Sequence, residues 1–349
     1  MKTKAQGNSA LSFILLIAGI VLLVAALAMD VMGTKFAGRG AMLIFGIIAF
    51  FAGLYLIPTM KHHRKIVYFI FLFPLLFTFA VTVIIPLVLG IGYSFTDWTG
   101  VKITKFVGLA NYMSMFKDPA FIYSILITFV FVIINMVLIN VIGFCLALLC
   151  TSSIKASGFF RAAYFLPNLI GGIVLGYIWQ FVFNNVLIGM TNHISLLSQS
   201  KTALLCIVVV YLWQYGGYIM LIYITGLTQV PGDVLEAANI DGATPMQTLF
   251  QIKIPMIAPT ITICTFLTLT SAFKQFDVNL SLTNGTGSLV FLGEFLTNGT
   301  QMLALNIYNT AVVENEYAFA QAKAFLFFII LACVSILQVR ISNSKEVEL

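Results

Sequence analysis

Eight long apolar stretches divide this chain and constrain its fold more than any other feature. A helix of about 20 apolar residues crosses the hydrocarbon core of a bilayer. Only 9% of the 349 residues are charged, against about a quarter in a typical soluble domain, so there are too few charges to cover a water-facing surface. The sequence predicts an all-α polytopic membrane protein with about eight transmembrane helices. They are expected at residues 11–29, 41–58, 66–93, 121–150, 163–183, 203–227, 258–276 and 317–340.

The first apolar stretch has two interpretations. Lys2 and Lys4 precede it, and Ala26-Leu27-Ala28 resembles a signal-peptidase site, which together are typical of a cleaved secretory signal. The apolar run is long for the core of such a signal, which has about 7–15 residues. We therefore expect an uncleaved membrane span.

The cations between the apolar stretches predict the orientation of the chain. Cytoplasmic loops carry an excess of Lys and Arg, and this bias is satisfied when both termini lie in the cytoplasm. The outer connections then contain fewer cations, and three of those, Lys102, Lys105 and Lys117, share one loop. The basic cluster at residues 61–65, which includes His62 and His63, is expected at the inner surface. The net charge of +6 therefore orients the protein, and we expect no nucleic-acid partner.

Motifs for catalysis and cofactor binding are missing from the sequence. It has no GxxxxGK[ST] loop to cradle phosphates, no HExxH and no GxSxG. The five cysteines lie in apolar stretches without a CxxC pair, which favours small buried hydrophobes over a metal or redox site. We expect a protein that is not an enzyme and that binds no metal or cofactor itself.

A polar segment at residues 231–256 separates two of the predicted spans. Asp233 is expected to cap a short helix, with Glu236 reaching back to it. Gly242 can end that helix in a left-handed conformation, and Thr244 with Gln247 forms a second capping box. Helices this short need a packing partner. The segment is therefore either a connector packed on its own bundle or a docking element for a cytoplasmic protein.

The spacing in this segment resembles the docking motif of the permease subunits of bacterial ABC importers. That motif runs Glu-Ala-Ala, three residues, Gly, nine residues and Ile-x-Leu-Pro. This chain has Glu236-Ala237-Ala238, then Gly242, then Ile252-Lys253-Ile254-Pro255, with Ile in place of Leu. Residues 106–121, 160–167 and 276–285 are similar to sugar permeases of the maltose, glycerol-phosphate and oligosaccharide type. Where that family usually continues Gly-Gly-Pro, this chain departs with Gly285-Thr286-Gly287-Ser288.

The resemblance implies a six-helix ABC importer permease core at residues 61–349 and an added two-helix hairpin at residues 1–60, in the bacterial cytoplasmic membrane. The implied partners are a second homologous permease, two cytoplasmic ATPase subunits, an extracytoplasmic sugar-binding protein and membrane lipid. ATP and Mg²⁺ would bind to the ATPase subunits. The helix pair at residues 233–255 would dock in a groove of an ATPase subunit. The implied coupling residues are Glu236, Ala237, Ala238, Asp241, Gly242, Ile252 and Pro255.

Two polar stretches at helical spacing are candidates for contacts with a sugar. A sugar presents hydroxyls and apolar CH faces, so aromatic rings, amides and hydroxyls that face an interior cavity suit it. Alignment with the maltose-type permease implies that these positions form its sugar-contacting face. The alternative is that the tyrosines pack at the membrane interface and the hydroxyls bond helix backbone. The candidates are Tyr211, Tyr215 and Tyr218, and, after the docking segment, Thr268, Ser271 and Gln275.

Two lysines at membrane depth leave open whether the cargo is neutral or anionic. Lys274 is expected to pair with Asp277, whereas Lys323 has no evident partner in the sequence and is expected to extend outward or to face the second permease. A cation on the pore wall would suit an anion such as glycerol phosphate, which stays an alternative to a di- or oligosaccharide. A secondary sugar porter and a membrane scaffold are the competing classes. A porter usually shows repeated halves, which we do not find.

Overall fold

The computed structural model describes residues 9–31, 38–56, 64–152, 156–191 and 195–343, which are predominantly helical. The helices are α1 (Ser9–Val31), α2 (Arg39–Tyr55), α3 (Arg64–Phe79), α4 (Ile85–Ser94), α5 (Ala110–Met115), α6 (Pro119–Thr151), α7 (Ser157–Leu169), α8 (Gly172–Phe181), α9 (Leu187–Thr191), α10 (Ser200–Thr228), α11 (Gly232–Ile240), α12 (Pro245–Gln247), α13 (Ile254–Met256), α14 (Ala258–Phe273), α15 (Leu303–Val312) and α16 (Tyr317–Asn343). Short π-helical turns join α3 to α4 (Ala80–Ile84), α8 to α9 (Val182–Val186) and α12 to α13 (Thr248–Lys253), a further one follows α14 (Asn279–Thr283), and a 3₁₀ turn precedes α10 (Leu196–Ser198).

Most of the predicted spans are confirmed as long apolar helices. Within the described residues, six helices or joined helices are long and apolar enough to cross a membrane, at Leu11–Met29, Phe71–Ser94, Pro119–Thr151, Gly172–Gly189, Ser200–Thr228 and Tyr317–Ile341. A seventh is a pair, Pro245–Met256 and Ala258–Phe273, bent by 71°. The apolar helix in the second predicted span is shorter, at Arg39–Leu54, and residues 57–58 of that prediction lie outside the described residues, as do residues 61–63 of the basic cluster.

The prediction of a continuous span at residues 163–183 is wrong. Helix α7 ends at Leu169, and Ile170 and Gly171 have extended ψ angles of 127° and 136° before α8 begins. Pro167 lacks a backbone donor, which weakens the last turn of α7. The apolar helix that follows is Gly172–Gly189. The break therefore places two non-helical residues, Ile170 and Gly171, where the sequence predicted an uninterrupted helix.

Contacts within the chain divide the described residues into two units, one ending at Leu87 and one starting at Val88; the predicted boundary at residue 60 stays a prediction. In the first unit, α1 and α2 pack closely. A Cβ atom on Gly19 would lie 2.7 Å from the Phe50 nitrogen, and one on Gly53 would lie 2.8 Å from the Leu16 nitrogen. Small residues that let backbones approach in this way are typical of helix pairs in membranes.

Helices α6, α10 and α14 form the core of the second unit. Their contact is lined by large buried side chains such as Phe131, Ile139, Tyr211, Ile219 and Phe273. Helix α10 also packs against α7. A Cβ on Gly217 would lie 1.9 Å from the Tyr164 carbonyl oxygen, so only glycine allows the two backbones to meet.

The strands β1 (Leu289–Phe291) and β2 (Glu294–Leu296) form a small antiparallel hairpin between α14 and α15. Val290 is paired with Phe295 across the ladder. The two turn residues, Leu292 and Gly293, have positive φ angles of 52° and 84°, as a two-residue turn of this handedness requires.

Lys323 lies inside the second unit, which corrects the expectation that it extends outward or faces another subunit. Its side chain is 2% exposed on α16 and its ammonium group lies 3.3 Å from Asp118 Oδ2. It also donates to Asn306 Oδ1 (3.2 Å) and Thr310 Oγ1 (2.9 Å), and it sits 4.5 Å from the centre of the Phe319 ring. The lysine therefore ties α15 and α16 to the start of α6, and its charge is compensated there.

Candidate functional site

The polar segment between α10 and α14 contains two short helices, and hydrogen bonds within the segment cap the end of the first and the start of the second. Helix α11 ends at Ile240, and Gly242, two residues further on, has a left-handed φ of +76°. The Gly242 N–H donates to the Asn239 carbonyl (3.2 Å) and the Ala243 N–H to the Ala238 carbonyl (2.9 Å). These two bonds form a Schellman motif, which satisfies the last carbonyls of the helix. The predicted helix end at Gly242 is confirmed.

The predicted cap at Asp233 is wrong. Helix α11 begins one residue earlier, at Gly232, after Pro231, and no side chain caps it. The fixed φ of Pro231, −61°, sets the chain direction before Asp233 is reached. Asp233 instead lies in the first turn, where a carboxylate is favoured by the helix dipole.

The second short helix starts with the predicted capping box. The Gln247 N–H donates to Thr244 Oγ1 (3.3 Å), and the Thr244 N–H donates to Gln247 Oε1 (2.8 Å). Pro245 is the first helical residue. The chain continues through the π-helical turn Thr248–Lys253 into α13 and then bends by 71° into α14. The two short helices and the bend give the segment a defined shape.

This segment presents apolar and acidic groups on its surface. Ile240 is 86% exposed, and Val234, Met246 and Phe250 are also exposed. Of the predicted coupling residues, Ala238 is buried and Ile252 is partly buried, whereas Glu236, Ala237, Asp241, Gly242 and Pro255 are exposed. A Cβ on Gly242 would have no neighbour within 4 Å. The segment therefore offers exposed hydrophobic side chains together with the exposed acidic side chains of Asp233, Glu236 and Asp241.

A polar cavity of about 550 Å³ lies among the end of α7, the middle of α10 and the end of α14. Five of the six predicted sugar contacts line it, which are Tyr215, Tyr218, Thr268, Ser271 and Gln275. Its other lining residues are Asn168, Gln214, Ile219, Leu267, Thr270, Lys274, Phe276 and Asp277. The cavity volume suits a small organic molecule, since ligand sites measure about 300–1,000 Å³.

Tyr211 does not line the cavity. Its side chain is 1% exposed and packs between the Tyr215 ring, at 4.4 Å, and the Phe131 ring, at 5.2 Å. Tyr211 and Tyr215 share a helix face as the spacing indicated, but α6 covers the first of them. Tyr211 therefore supports the wall of the cavity from behind.

The polar groups of α14 differ in how far they are already bonded. Thr268 donates to the Cys264 carbonyl (2.8 Å) and Ser271 to the Leu267 carbonyl (2.7 Å), as the alternative interpretation expected of hydroxyls in a membrane helix. The Gln275 side chain is 6% exposed, and its Nε2 finds no acceptor among the described residues. An unsatisfied buried donor costs about 1–3 kcal/mol, so the Gln275 amide gains more from a bound acceptor than the two hydroxyls, which are already bonded.

Among the lining residues that were not sequence-based candidates are two polar ones, Asn168 and Thr270. Asn168 lies just before the break between α7 and α8, so a search for helical spacing within one span could not place it beside α10.

Lys274 and Asp277 both line the cavity, but among the described residues no ion pair joins them, so the expected pairing is wrong. Broken helices beside a polar cavity are typical of transporter binding sites.

Comparison with known proteins agrees with this architecture. The sequence profile of the family described as "Binding-protein-dependent transport system inner membrane component" matches residues 140–346. A probable starch degradation products transport system permease protein of Thermoanaerobacterium thermosulfurigenes is 43% identical over 81% of this chain and 96% of its own length. A multiple sugar-binding transport system permease protein of Streptococcus mutans is 32% identical over 75% of this chain and 90% of its own length.

The fold is also similar to that of a solved structure. A chain of a bacterial ABC transporter involved in the import of the acidic polysaccharide alginate superposes with a TM-score of 0.67 at 18% identity, covering 80% of this chain and 96% of that chain. The chain belongs to the family of binding-protein-dependent transport system inner membrane components, the multi-pass permeases of ABC importers.

Proposed function

We propose that this chain is one permease subunit of an ATP-driven importer that carries a di- or oligosaccharide across the cytoplasmic membrane. The observation that carries the proposal is the self-capped segment at residues 231–256, which presents Ile240, Met246 and Phe250 beside an exposed Glu236. A rigid element of this kind suits a groove on an ATPase subunit. The relatives named above are described as permeases for starch degradation products and for multiple sugars, which supports a sugar as cargo.

The proposed assembly contains a second homologous permease, two cytoplasmic ATPase subunits and an extracytoplasmic sugar-binding protein. Both termini and residues 231–256, called the coupling segment below, lie in the cytoplasm, as the distribution of Lys and Arg favours. The chain itself does not hydrolyse ATP, and ATP with Mg²⁺ binds to the ATPase subunits. ATP binding moves the docked segment, and the 71° bend into α14 passes that movement to a helix that lines the polar cavity.

The coupling role is tested with Glu236→Arg and Gly242→Asp in proteoliposomes that contain the whole importer. We expect both variants to insert normally and to lose sugar-stimulated ATP hydrolysis, because one reverses the exposed charge and the other adds a side chain at a left-handed position. Glu314→Arg is the matched control, since Glu314 is an exposed carboxylate between α15 and α16. Normal sugar-stimulated hydrolysis in both coupling variants would refute the proposal.

We infer that the sugar binds in the polar cavity. Tyr215 and Tyr218 supply ring faces for stacking, and Gln275 supplies a free amide donor. We expect Tyr215→Ala or Gln275→Ala to raise the half-saturating cargo concentration about tenfold, equivalent to about 1.4 kcal/mol. Tyr177→Ala is the control, because Tyr177 is exposed on α8 and does not line the cavity. Unchanged uptake in both cavity variants would contradict this placement.

The charges of the cavity favour a neutral sugar over glycerol phosphate. Lys274 and Asp277 both line it, so the described lining has no net charge. Lys323 does not contribute a free cation, since it is buried against Asp118. Competition between maltooligosaccharides and glycerol 3-phosphate for ATP-dependent uptake decides between the two cargoes, and uptake that needs an ion gradient instead of ATP would indicate a secondary porter.

A further inference from the structure

The connection between α4 and α5 forms an ordered loop at residues 95–109, called the 95–109 loop below. Asp97 Oδ1 accepts from the N–H groups of Thr104 (2.8 Å) and Lys105 (2.7 Å). The Asp97 N–H donates back to the Lys105 carbonyl (3.2 Å), and Thr96 pairs with Phe106 in an isolated β-bridge. The two backbone donors, Lys105 first and Thr104 second, hold the pKa of the Asp97 carboxyl below its usual value. The carboxylate is thus charged at neutral pH and fixes the loop.

This fixed loop presents large apolar side chains outward. Val101 is 93% exposed and Phe106 is 78% exposed, and Ile103 and Leu109 are exposed as well. These side chains lie beyond the end of the predicted span, on a loop and not on a helix that crosses the bilayer, so the lipid-facing position of a span does not account for their exposure.

Two cations lie among these apolar side chains. Lys102 and Lys105 are both exposed, and neither forms an ion pair with a carboxylate in the part of the chain that the structure describes. They also belong to the group of lysines that the charge count places, against the general bias, on the outer side. With the Asp97 carboxylate counted, the loop keeps one excess positive charge among its exposed apolar side chains, and apolar groups with cations are the composition of elements that lie in a membrane interface.

The helix that leads into the loop has an exposed apolar side. Near the end of α4, Val88 and Leu89 are exposed, whereas Ser94 is buried and bonds Tyr112 Oη at 2.6 Å. One side of the helix thus faces the surroundings just before the loop begins. At the same level, the Trp98 ring lies 4.4 Å from the Tyr93 ring and 5.7 Å from the Tyr317 ring. Clusters of Trp and Tyr mark the headgroup level of a bilayer.

We propose that the 95–109 loop docks into the outer leaflet, with Val101, Ile103 and Phe106 at the headgroup–acyl boundary and Lys102 and Lys105 on the phosphates of anionic phospholipids. Continuity with the lipid-facing side of α4 and the match of charge select this partner. The assignment to the outer leaflet rests on the membrane orientation proposed above. Because of this docking, the depth of the 95–109 loop in the membrane depends on the lipid composition of the outer leaflet.

The test uses the full chain in nanodiscs of phosphatidylcholine, with or without phosphatidylglycerol. A spin label is attached to Val101→Cys in a background where the exposed Cys145 and Cys333 are replaced by Ser. Relaxation by oxygen and by a water-soluble nickel complex then reports the depth of the label. We expect the label to lie at the headgroup–acyl boundary when phosphatidylglycerol is present, and a reference label at Glu314→Cys, which is exposed, to lie in water.

The two lysines are tested in the same background. Attraction of one lysine to an anionic surface changes the ratio of docked to undocked loop slightly more than about fivefold. The two effects multiply, so the double variant Lys102→Gln, Lys105→Gln should lower this ratio about thirtyfold at low salt. Lys117→Gln is the matched control, since Lys117 is also exposed but follows α5; we expect little change.

Three results would overturn the proposal. One is equal nickel accessibility at residues 101 and 314 in both lipid compositions. Another is shielding of residue 101 only after the sugar-binding protein is added, which would assign the surface to that protein. The third is measured in sealed vesicles of known orientation, and is reaction of the cysteine at residue 101 with a membrane-impermeant maleimide from the cytoplasmic side alone. That result would also reject the proposed orientation, whereas the first two leave it intact.

Discussion

Substitution of Asp118 by Asn should destabilise the protein more than substitution of its partner Lys323 by Met. Asp118 is the N-cap of α6 and accepts from the Ala120 N–H at 3.0 Å. Asn caps as well as Asp, so Asp118→Asn keeps the cap and removes only the charge. The Lys323 ammonium then stays buried with two neutral acceptors and no counter-ion.

The magnitude follows from how unequally the two partners are buried. The side chain of Lys323 is 2% exposed and that of Asp118 is 30% exposed. Loss of one partner from a fully buried pair costs about 3–5 kcal/mol. The remaining acceptors and partial hydration reduce this to about 2–4 kcal/mol for Asp118→Asn. Lys323→Met leaves a carboxylate that water can reach, so its cost should be about 1 kcal/mol.

The assay is thermal unfolding of the purified chain in detergent, followed by tryptophan fluorescence. At about 2 °C per kcal/mol for a chain of this size, Asp118→Asn should lower Tm by about 4–8 °C and Lys323→Met by about 2 °C. The double variant should be more stable than Asp118→Asn alone, because it no longer buries an unpaired ammonium. Lys201→Met, at an exposed lysine, is the control. Equal losses in both single variants, or a double variant weaker than Asp118→Asn, would refute the reasoning.

Three further expectations concern single groups. Gly217→Ala should lower the stability by about 1–3 kcal/mol because its Cβ would strike the backbone of α7, whereas the adjacent Gly216→Ala, with no neighbour within 4 Å, should be neutral or slightly stabilising; equal Tm values would be contradictory. Thr244→Ala removes the capping box and should speed amide hydrogen exchange in the coupling segment by the equivalent of about 1 kcal/mol, without effect on α6. The pKa of Asp97 is lowered chiefly by the Lys105 N–H, so its stabilisation of the loop is complete above its unfolded pKa and is lost as pH falls through the lower folded pKa. A spin label on the loop should accordingly gain mobility only in acid, and a change near neutral pH would oppose this.

Local features of the sequence were the more predictable ones. The capping box at Thr244 and the left-handed turn at Gly242 depend on residues at most four positions away, so spacing alone identifies them. The cap at Asp233 failed although it is also local, because Pro231 fixes the start of α11 one residue earlier. Competing local signals of similar strength can thus shift a helix end.

Contacts between distant residues could not be predicted from the sequence. Lys323 and Asp118 are 205 positions apart, and only the packing of α16 against the start of α6 brings them together. Asn168 reaches the polar cavity because the chain breaks at Ile170, which apolar composition does not reveal. Periodicity placed Tyr211 and Tyr215 on one face but did not indicate that α6 covers Tyr211.

The end structures of the coupling segment have a consequence for how such permeases diversify. Both the Schellman motif at Gly242 and the box at Thr244 are formed by bonds among residues 237–248. The shape of the proposed docking surface therefore does not depend on the side chains that line the polar cavity. Substitutions in the cavity can change what is carried while the docking shape is inherited unaltered. If the segment docks as proposed, one ATPase would serve several permeases whose cargoes differ.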